Sequence, residues 1–264
     1  MTRARGDQPD KSAVRFTLLG PLEVRMDEVD YAPTGPKVLQ LLALLLMRAG
    51  QVVDADTIIR ELWAQDPPRS VRKTMQTYVY HLRQCIERNG LAAGDVVVTK
   101  PPGYVFKVDR EQIDVFTFQR LCKQGRDLLA TDPGKAADTL RAALALWAGP
   151  PMSNVPCGPV LSAYAVDLEE QRNAARYLRI QAEIEAGQHR ALIPELRSLV
   201  AEHPHDEGLH GQLMKALGLS GRRLEALEMY RDLRTKLNEE LGLEPCADLQ
   251  KLQQELLSVG TSTS

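Results

Sequence analysis

The residues best suited to chemistry lie in one stretch, SVRKTMQTYVYHLRQCI, at residues 70–86. At about 100° per residue, its apolar side chains fall on one side of a helix. The other side and its flanks carry no acid but only donors, cations and aromatic groups: Arg72, Lys73, Gln76, Thr77, Tyr80, His81, Arg83 and Gln84. An ordinary surface helix mixes Glu and Lys here. A face of this kind suits a nucleic-acid duplex, whose phosphates and base edges accept hydrogen bonds.

Each type of side chain on this face has a matching group on DNA. The cations can neutralise phosphates or bind guanine edges, and they are Arg72, Lys73 and Arg83. Gln76 can pair with adenine, Thr77 can contact a thymine methyl, and the Tyr80 hydroxyl suits a phosphate. The alternative is a solvated basic surface, because exposed polar helix faces are common in proteins that bind no nucleic acid.

The charge of the chain is distributed unevenly. The 264 residues carry a net charge of −2, which by itself does not indicate a nucleic-acid partner. Residues 1–110 hold 16 basic and 13 acidic residues, whereas residues 111–264 hold 17 basic and 22 acidic ones. Between Arg69 and Arg88 there are five basic residues and one acid, Glu87. The candidate helix therefore lies in a local basic patch.

The elements around this helix predict a DNA-binding fold. Residues 14–26 have strand composition interrupted by Gly20-Pro21, which indicates a hairpin or meander. Two helices follow, one starting near Pro36 and one at about 56–63 with Asp54 as its N-cap. After the basic helix, residues 96–108 form two β-rich runs joined at Lys100-Pro101-Pro102-Gly103. Strands, three helices and a hairpin make a winged helix, in which the third helix enters the major groove.

The hairpin tip adds Lys100 to the candidate site, where its charge could reach the DNA backbone. Tyr104 lies just beyond the tip, but a tyrosine at this place is more often part of the hairpin core.

From Gln112 onward the pattern is helical, and it contains an internal repeat. Residues 187–200 align with residues 221–234 at a spacing of 34, with Gly187 matching Gly221. Thirty-four residues is the tetratricopeptide period, in which pairs of antiparallel helices stack on each other. The sequence thus predicts a mainly α protein with a small β content.

Other classes of protein find little support. No apolar run reaches the 18 residues that a membrane span requires. The four cysteines are far apart and are expected to be reduced thiols. Common motifs for phosphate binding, dinucleotide binding, zinc proteolysis and serine hydrolysis are absent from the sequence. The HPHDE segment at residues 203–207 is expected to be a solvated inter-helix turn. We therefore expect no enzyme activity, no cofactor and no metal.

Several motifs resemble one family in order along the chain: LGPLEV (19–24), ELWAQDPPRSVRKTMQTYVYHLR (61–83), TKPPGYVF (99–106), ALALWAGPP (143–151) and MYRDLRTKLNEELGLEPCADLQKL (229–252). By these the chain is similar to the Streptomyces antibiotic regulatory protein (SARP) family, the AfsR-type transcriptional activators, in its small single-chain form. One departure is Ala64-Gln65, where such proteins commonly have a glycine.

The resemblance implies more than the residues alone. It implies an OmpR-type winged helix-turn-helix domain followed by an all-α, tetratricopeptide-like bacterial transcriptional activation domain. It implies binding, side by side in pairs or larger groups, to direct repeats in double-stranded promoter DNA, and recruitment of RNA polymerase holoenzyme through its sigma factor and other subunits. The target would be an antibiotic gene cluster, and the location the cytoplasm, at the nucleoid. The recognition positions carried over are Arg72, Lys73, Thr74, Gln76, Thr77, Tyr80, His81 and Arg83.

The domain limits expected from these patterns are a disordered leader (1–13), a winged helix domain (14–109), a helical activation domain (110–258) and a disordered tail (259–264). Two alternatives stay open at this point. A helical-repeat scaffold would bind a protein partner and leave the basic helix incidental. A repressor would use the same DNA-binding domain to block a promoter.

Overall fold

The structure of the chain is a computed structural model that describes residues 14–26, 29–64, 66–88 and 93–258. The predicted leader and tail, and Gln65, lie outside the described residues. Two compact units are present: Met1–Cys122 with Ala142–Asn173, and Lys123–Arg141 with Ala174–Ser264. The domain limits predicted at residues 109 and 110 remain a prediction.

Among the described residues, the strands lie in the first part of the chain. They are β1 (Val14–Thr17), β2 (Glu23–Met26), β3 (Val29–Asp30), β4 (Val52–Asp54), β5 (Val97–Lys100) and β6 (Gly103–Phe106). They form two antiparallel sheets with strand orders β1-β2-β3 and β4-β6-β5. The predicted hairpins at 14–26 and 96–108 are confirmed. The pairing of β4 with β6 was not predicted, because three residues are too few to show a strand period.

The helices of the first part are α1 (Pro36–Met47), α2 (Ala55–Trp63), α3 (Val71–Arg88) and the single turn α4 (Ala93–Val96). Pro36 occupies the first turn of α1, where its missing N–H costs nothing, and the helix is apolar on all sides because it is central. The carboxylate of Asp54 caps α2 by accepting from Thr57 N at 2.7 Å, as predicted. The order of strands, three helices and hairpin is that of a winged helix.

The rest of the described chain is helical after a 3₁₀ turn at Arg110–Gln112. Its helices are α5 (Asp114–Leu128), α6 (Pro133–Leu144), α7 (Pro159–Glu185), α8 (His189–Glu202), α9 (Glu207–Leu219), α10 (Arg223–Leu241) and α11 (Ala247–Ser258). Both α6 and α7 begin at a proline, whose missing N–H lies where a helix has no partner for it.

The 34-residue repeat is present in the backbone of the second unit. Gly187 ends α7 at φ +80° and Gly221 ends α9 at φ +79°. Each turn has the same Schellman hydrogen bond: Gln188 N donates to Glu183 O, and Arg222 N donates to Leu217 O. Most of the matched apolar residues pack into one shared core, which includes Ile193, Leu196, Tyr230 and Leu233. The predicted repeat is therefore a repeat of structure as well as of sequence.

A buried carboxylate caps the start of α7. Glu61, on α2, is only 1% exposed. It accepts from Gly158 N (2.6 Å), Val160 N (2.8 Å) and Leu161 N (3.0 Å), and from Gln40 Nε2 (2.9 Å). The first N–H groups of a helix have no partner within the helix, and a negative charge there is favourable. Glu61 thus supplies α7 with the cap that its own sequence lacks.

A second carboxylate holds the loop after β1. Asp114, the first residue of α5, accepts from Leu18 N at 2.8 Å and from Leu19 N at 2.9 Å. Burial raises the pKa of Asp114 to about 6. The backbone hydrogen bonds from Leu19 and Leu18 favour the charged carboxylate and lower the pKa, but their effect is smaller than that of burial.

We expect Glu61→Gln to destabilise the chain by about 1–3 kcal/mol for each backbone donor left unpaired, because an amide offers one acceptor oxygen where the carboxylate offers two. Urea unfolding of the full chain measures this. Glu170→Gln, at an exposed position of α7, is the control and should leave the midpoint unchanged. Equal midpoints for both variants would contradict the capping role.

Asp114 should make stability depend on pH. Its folded pKa of about 6 lies above the ordinary 3.8, so the folded state binds the proton more tightly than the unfolded chain. The Asp114 contribution to the unfolding free energy should therefore fall as pH rises from about 4 to about 6, by at most about 1.4 kcal/mol per pH unit. Asp114→Asn should remove this slope. Asp54→Asn is the opposite control, since the hydrogen bond from Thr57 N lowers the pKa of Asp54.

Candidate nucleic-acid interface

The apolar side of α3 fixes which side of the helix faces outward. Met75, Val79 and Leu82 are buried, and the Tyr78 ring stacks on Trp63 with 5.9 Å between ring centroids. These residues recur every three or four positions, so they form one packed stripe. The predicted polar face is consequently directed away from the core.

The structure brings the predicted residues of α3 onto that face with different exposures. Six are exposed: Arg72, Lys73, Gln76, Thr77, Tyr80 and His81. Thr74 and Arg83 are half-buried. Tyr80 is 56% exposed, so its ring and hydroxyl are accessible from solvent.

Several of these side chains already make local hydrogen bonds. Thr74 Oγ1 donates to Ser70 O at 3.2 Å, and Thr77 Oγ1 donates to Lys73 O at 3.1 Å. This orients the Thr77 hydroxyl toward the helix and leaves its methyl group for apolar contact. The Tyr80 hydroxyl accepts from Gln84 Nε2 at 2.6 Å and keeps its own proton to donate.

Lys73 and Gln76 differ from their neighbours, because within the described residues neither side chain has a hydrogen-bond or ion-pair partner. Their donors are therefore satisfied by solvent alone and are available to a ligand at no cost in internal bonds.

Arg72 pairs with a residue that the sequence did not single out. Its Nη2 lies 2.9 Å from Asp56 Oδ1, and the two side chains are 68% and 80% exposed. Exposed pairs of this kind contribute at most about 1 kcal/mol to stability, so Arg72 can leave Asp56 for a ligand at little cost. Asp56 follows the predicted N-cap Asp54, but nothing in the sequence indicates a pair across two helices.

Arg83 binds the hairpin. Its Nε and Nη2 donate to Val97 O at 3.0 and 2.8 Å, and Nη2 also donates to Thr99 Oγ1 at 2.9 Å. The end of α3 is thereby joined to β5.

The hairpin β5–β6 carries Lys100 at its tip, one residue after Thr99, which accepts a hydrogen bond from Arg83 of α3. Lys100 is exposed and pairs in register with Gly103 across the tip. Tyr104 is 8% exposed and belongs to the hairpin core, as expected. Gly103 is required by space, because a Cβ on it would lie 1.8 Å from Val53 O of β4.

Outside this surface, the described residues show no group of three side chains that could hold a metal ion. In the HPHDE segment, Asp206 caps α9 through Leu209 N, and His205 Nε2 lies 2.6 Å from Glu240 Oε2. Among the described helices, none combines the length and apolarity needed to cross a bilayer.

Comparison with known proteins gives the family. The profile described as "Bacterial transcriptional activator domain" matches residues 113–257, and "Transcriptional regulatory protein, C terminal" matches residues 32–106. The regulatory protein DnrI of Streptomyces peucetius is 37% identical over 253 residues, which cover 92% of this chain and 92% of DnrI. The chain belongs to the SARP family. It is a transcriptional regulator of SARP type, with an OmpR-type DNA-binding domain and a helical activator domain.

Two further relatives are longer than this SARP-family chain. The regulatory protein AfsR of Streptomyces griseus is 34% identical over 246 residues, which cover 93% of this chain but 24% of AfsR. The structure of Mycobacterium tuberculosis EmbR in complex with a low-affinity phosphopeptide matches with a TM-score of 0.86 and 32% identity, over 93% of this chain and 65% of EmbR. The family and fold that the sequence predicts are confirmed.

We expect Gly103→Ala to separate the tip of the hairpin from β4, since the added methyl group cannot fit against Val53 O. The cost should be about 1–3 kcal/mol of unfolding free energy, as for other overpacked positions. Gly94→Ala is the control, because a Cβ there meets nothing within 4 Å. Chemical denaturation of both variants tests the difference, and equal stabilities would contradict it.

Proposed function

We propose that this chain activates transcription of a secondary-metabolite (antibiotic) gene cluster. It binds direct repeats in promoter DNA side by side with further copies of itself, and it recruits RNA polymerase holoenzyme through the sigma factor and other subunits. It acts in the cytoplasm, at the nucleoid, and has no catalytic activity of its own. The family and its helical activator domain support this proposal.

The observation that carries the DNA-binding part is the acid-free outer face of α3, to which Arg83 binds the strand that ends at Lys100. A helix that is held by one buried stripe and exposes donors on the other side fits the major groove, and a neighbouring hairpin fits the adjacent backbone. A scaffold that binds only proteins has no use for this combination.

The side chains of α3 divide into those that read bases and those that position the helix. Gln76, free of internal bonds, offers the amide pair that adenine matches, and the Thr77 methyl group fits a thymine methyl. Lys73 and Arg72 lie next to them and neutralise phosphates or contact guanine. Tyr80 donates its hydroxyl proton to a phosphate, and Thr74 and His81 lie at the edge of the contact.

Direct repeats place successive copies on one face of the duplex when they lie about one helical turn apart, about 10–10.5 base pairs. Head-to-tail copies then present their helical domains in one direction along the DNA. A repressor would use the same surface without the polymerase contact.

Gln76→Ala and Lys100→Ala should affect binding differently. Loss of Gln76 should cost about 1–3 kcal/mol at one base pair and relax specificity there. Loss of Lys100 should weaken binding to all sequences and reduce the slope of log K against log salt by about one unit. Lys251→Ala, on the exposed side of α11, is the control for a lost positive charge. Binding titrations on cognate and scrambled DNA at several salt concentrations measure this, and equal losses for both variants would contradict the assignment.

Footprinting on promoter fragments from the neighbourhood of the gene, at two salt concentrations and with or without RNA polymerase holoenzyme, tests the whole proposal. We expect evenly spaced protection that survives the higher salt and that extends into the promoter when polymerase is added. Protection that excludes polymerase would identify a repressor. No protection at either salt concentration would favour the alternative that the chain is a scaffold that binds only proteins.

A further inference from the structure

Arg83 uses its guanidinium differently from the other cations of α3. An arginine has five N–H donors, and three of these are engaged: Nε–H and one Nη2–H with Val97 O, and the other Nη2–H with Thr99 Oγ1. Both remaining donors lie on the single atom Nη1. Recognition of guanine by arginine needs a fork that approaches two acceptors together, and here the atoms that would form this fork are occupied by the hairpin.

The position of the Val97 carbonyl explains why it needs a hydrogen-bond donor. β5 is the edge of the sheet β4-β6-β5, and within the described chain no strand pairs with it on the side away from β6. Val97 is fully buried, so a backbone carbonyl at this edge has little access to water. Arg83 is half-buried and supplies two charge-assisted hydrogen bonds to this one oxygen.

We propose that Arg83 is a positioning residue that fixes the hairpin on the recognition helix, and that it does not itself read a base. It lies about two helical turns after Gln76, and its partners Val97 and Thr99 belong to the strand that ends at Lys100. The guanidinium therefore sets where Lys100 stands relative to the base-reading side chains. This inference rests on the proposed function and changes the role expected of Arg83 from contact to positioning.

The first test needs no DNA. Arg83→Gln should speed hydrogen exchange of the hydrogen-bonded amides of β5 and β6 by about tenfold or more, since a charge-assisted bond to the strand is lost. Thr99→Val removes only the bond to Oγ1 and should have a smaller effect. Arg83→Lys keeps the charge but loses the fork, so it should resemble Arg83→Gln. Unchanged exchange in Arg83→Gln would overturn the proposal whether or not the chain binds DNA.

The second test asks whether Arg83 acts through Lys100. In the wild type, Lys100→Ala should reduce the salt slope by about one unit. Arg83→Gln should produce the same reduction, and the double variant should lose no more than either single variant, because the contact of Lys100 has already been lost. Recognition of each base pair in the site should stay as in the wild type.

The outcomes separate the alternatives. A double variant whose salt slope falls by about two units would show that Arg83 contacts a phosphate independently of Lys100. Relaxed specificity at one base pair would show that Arg83 reads a base. Either result overturns the positioning role. Absence of specific binding by the wild type would instead overturn the proposed function, and the exchange experiment would still decide whether Arg83 holds the hairpin.

Discussion

The first compact unit depends on one buried carboxylate, that of Glu61. A helix as long as α7 begins with N–H groups that need acceptors, and its first residue, Pro159, has no side chain that could cap them. Glu61 reaches this end from α2 and also accepts from Gln40 of α1, so a single side chain joins three helices. Because the group is buried, its loss would leave several donors without water as a substitute. Helices α1 and α2, which pack against α3, are therefore part of the same hydrogen-bonded unit as the start of α7.

Features that are local in sequence could be predicted. The spacing of Met75, Val79 and Leu82 indicates which side of α3 is buried. Asp54 caps the helix that follows it directly, through the N–H of Thr57 three residues later. The equivalent turns at Gly187 and Gly221 follow from the 34-residue repeat of the amino-acid sequence. The set of side chains on the candidate surface was predictable for the same reason, since a helical wheel needs only the order of residues.

Features that join distant segments could not be predicted. β4 is three residues long and is defined only by its pairing with β6. Glu61 binds groups about a hundred positions later, and a helical wheel gives no sign of such a contact. Within the candidate surface, the sequence places Lys73, Arg72 and Arg83 in one class. The structure separates them: Lys73 is free within the described residues, Arg72 has a weak exposed pair, and Arg83 is bound to the hairpin.

The bond between Arg83 and Val97 also bears on solubility. An edge strand with free carbonyl groups is a template on which another chain can add a strand, and this is a route to aggregation. β5 is short, ends in a lysine and has an outward carbonyl covered by a guanidinium. If copies bind neighbouring DNA sites as proposed, their local concentration is high. A covered edge would then keep the sheets of adjacent copies from pairing through β5.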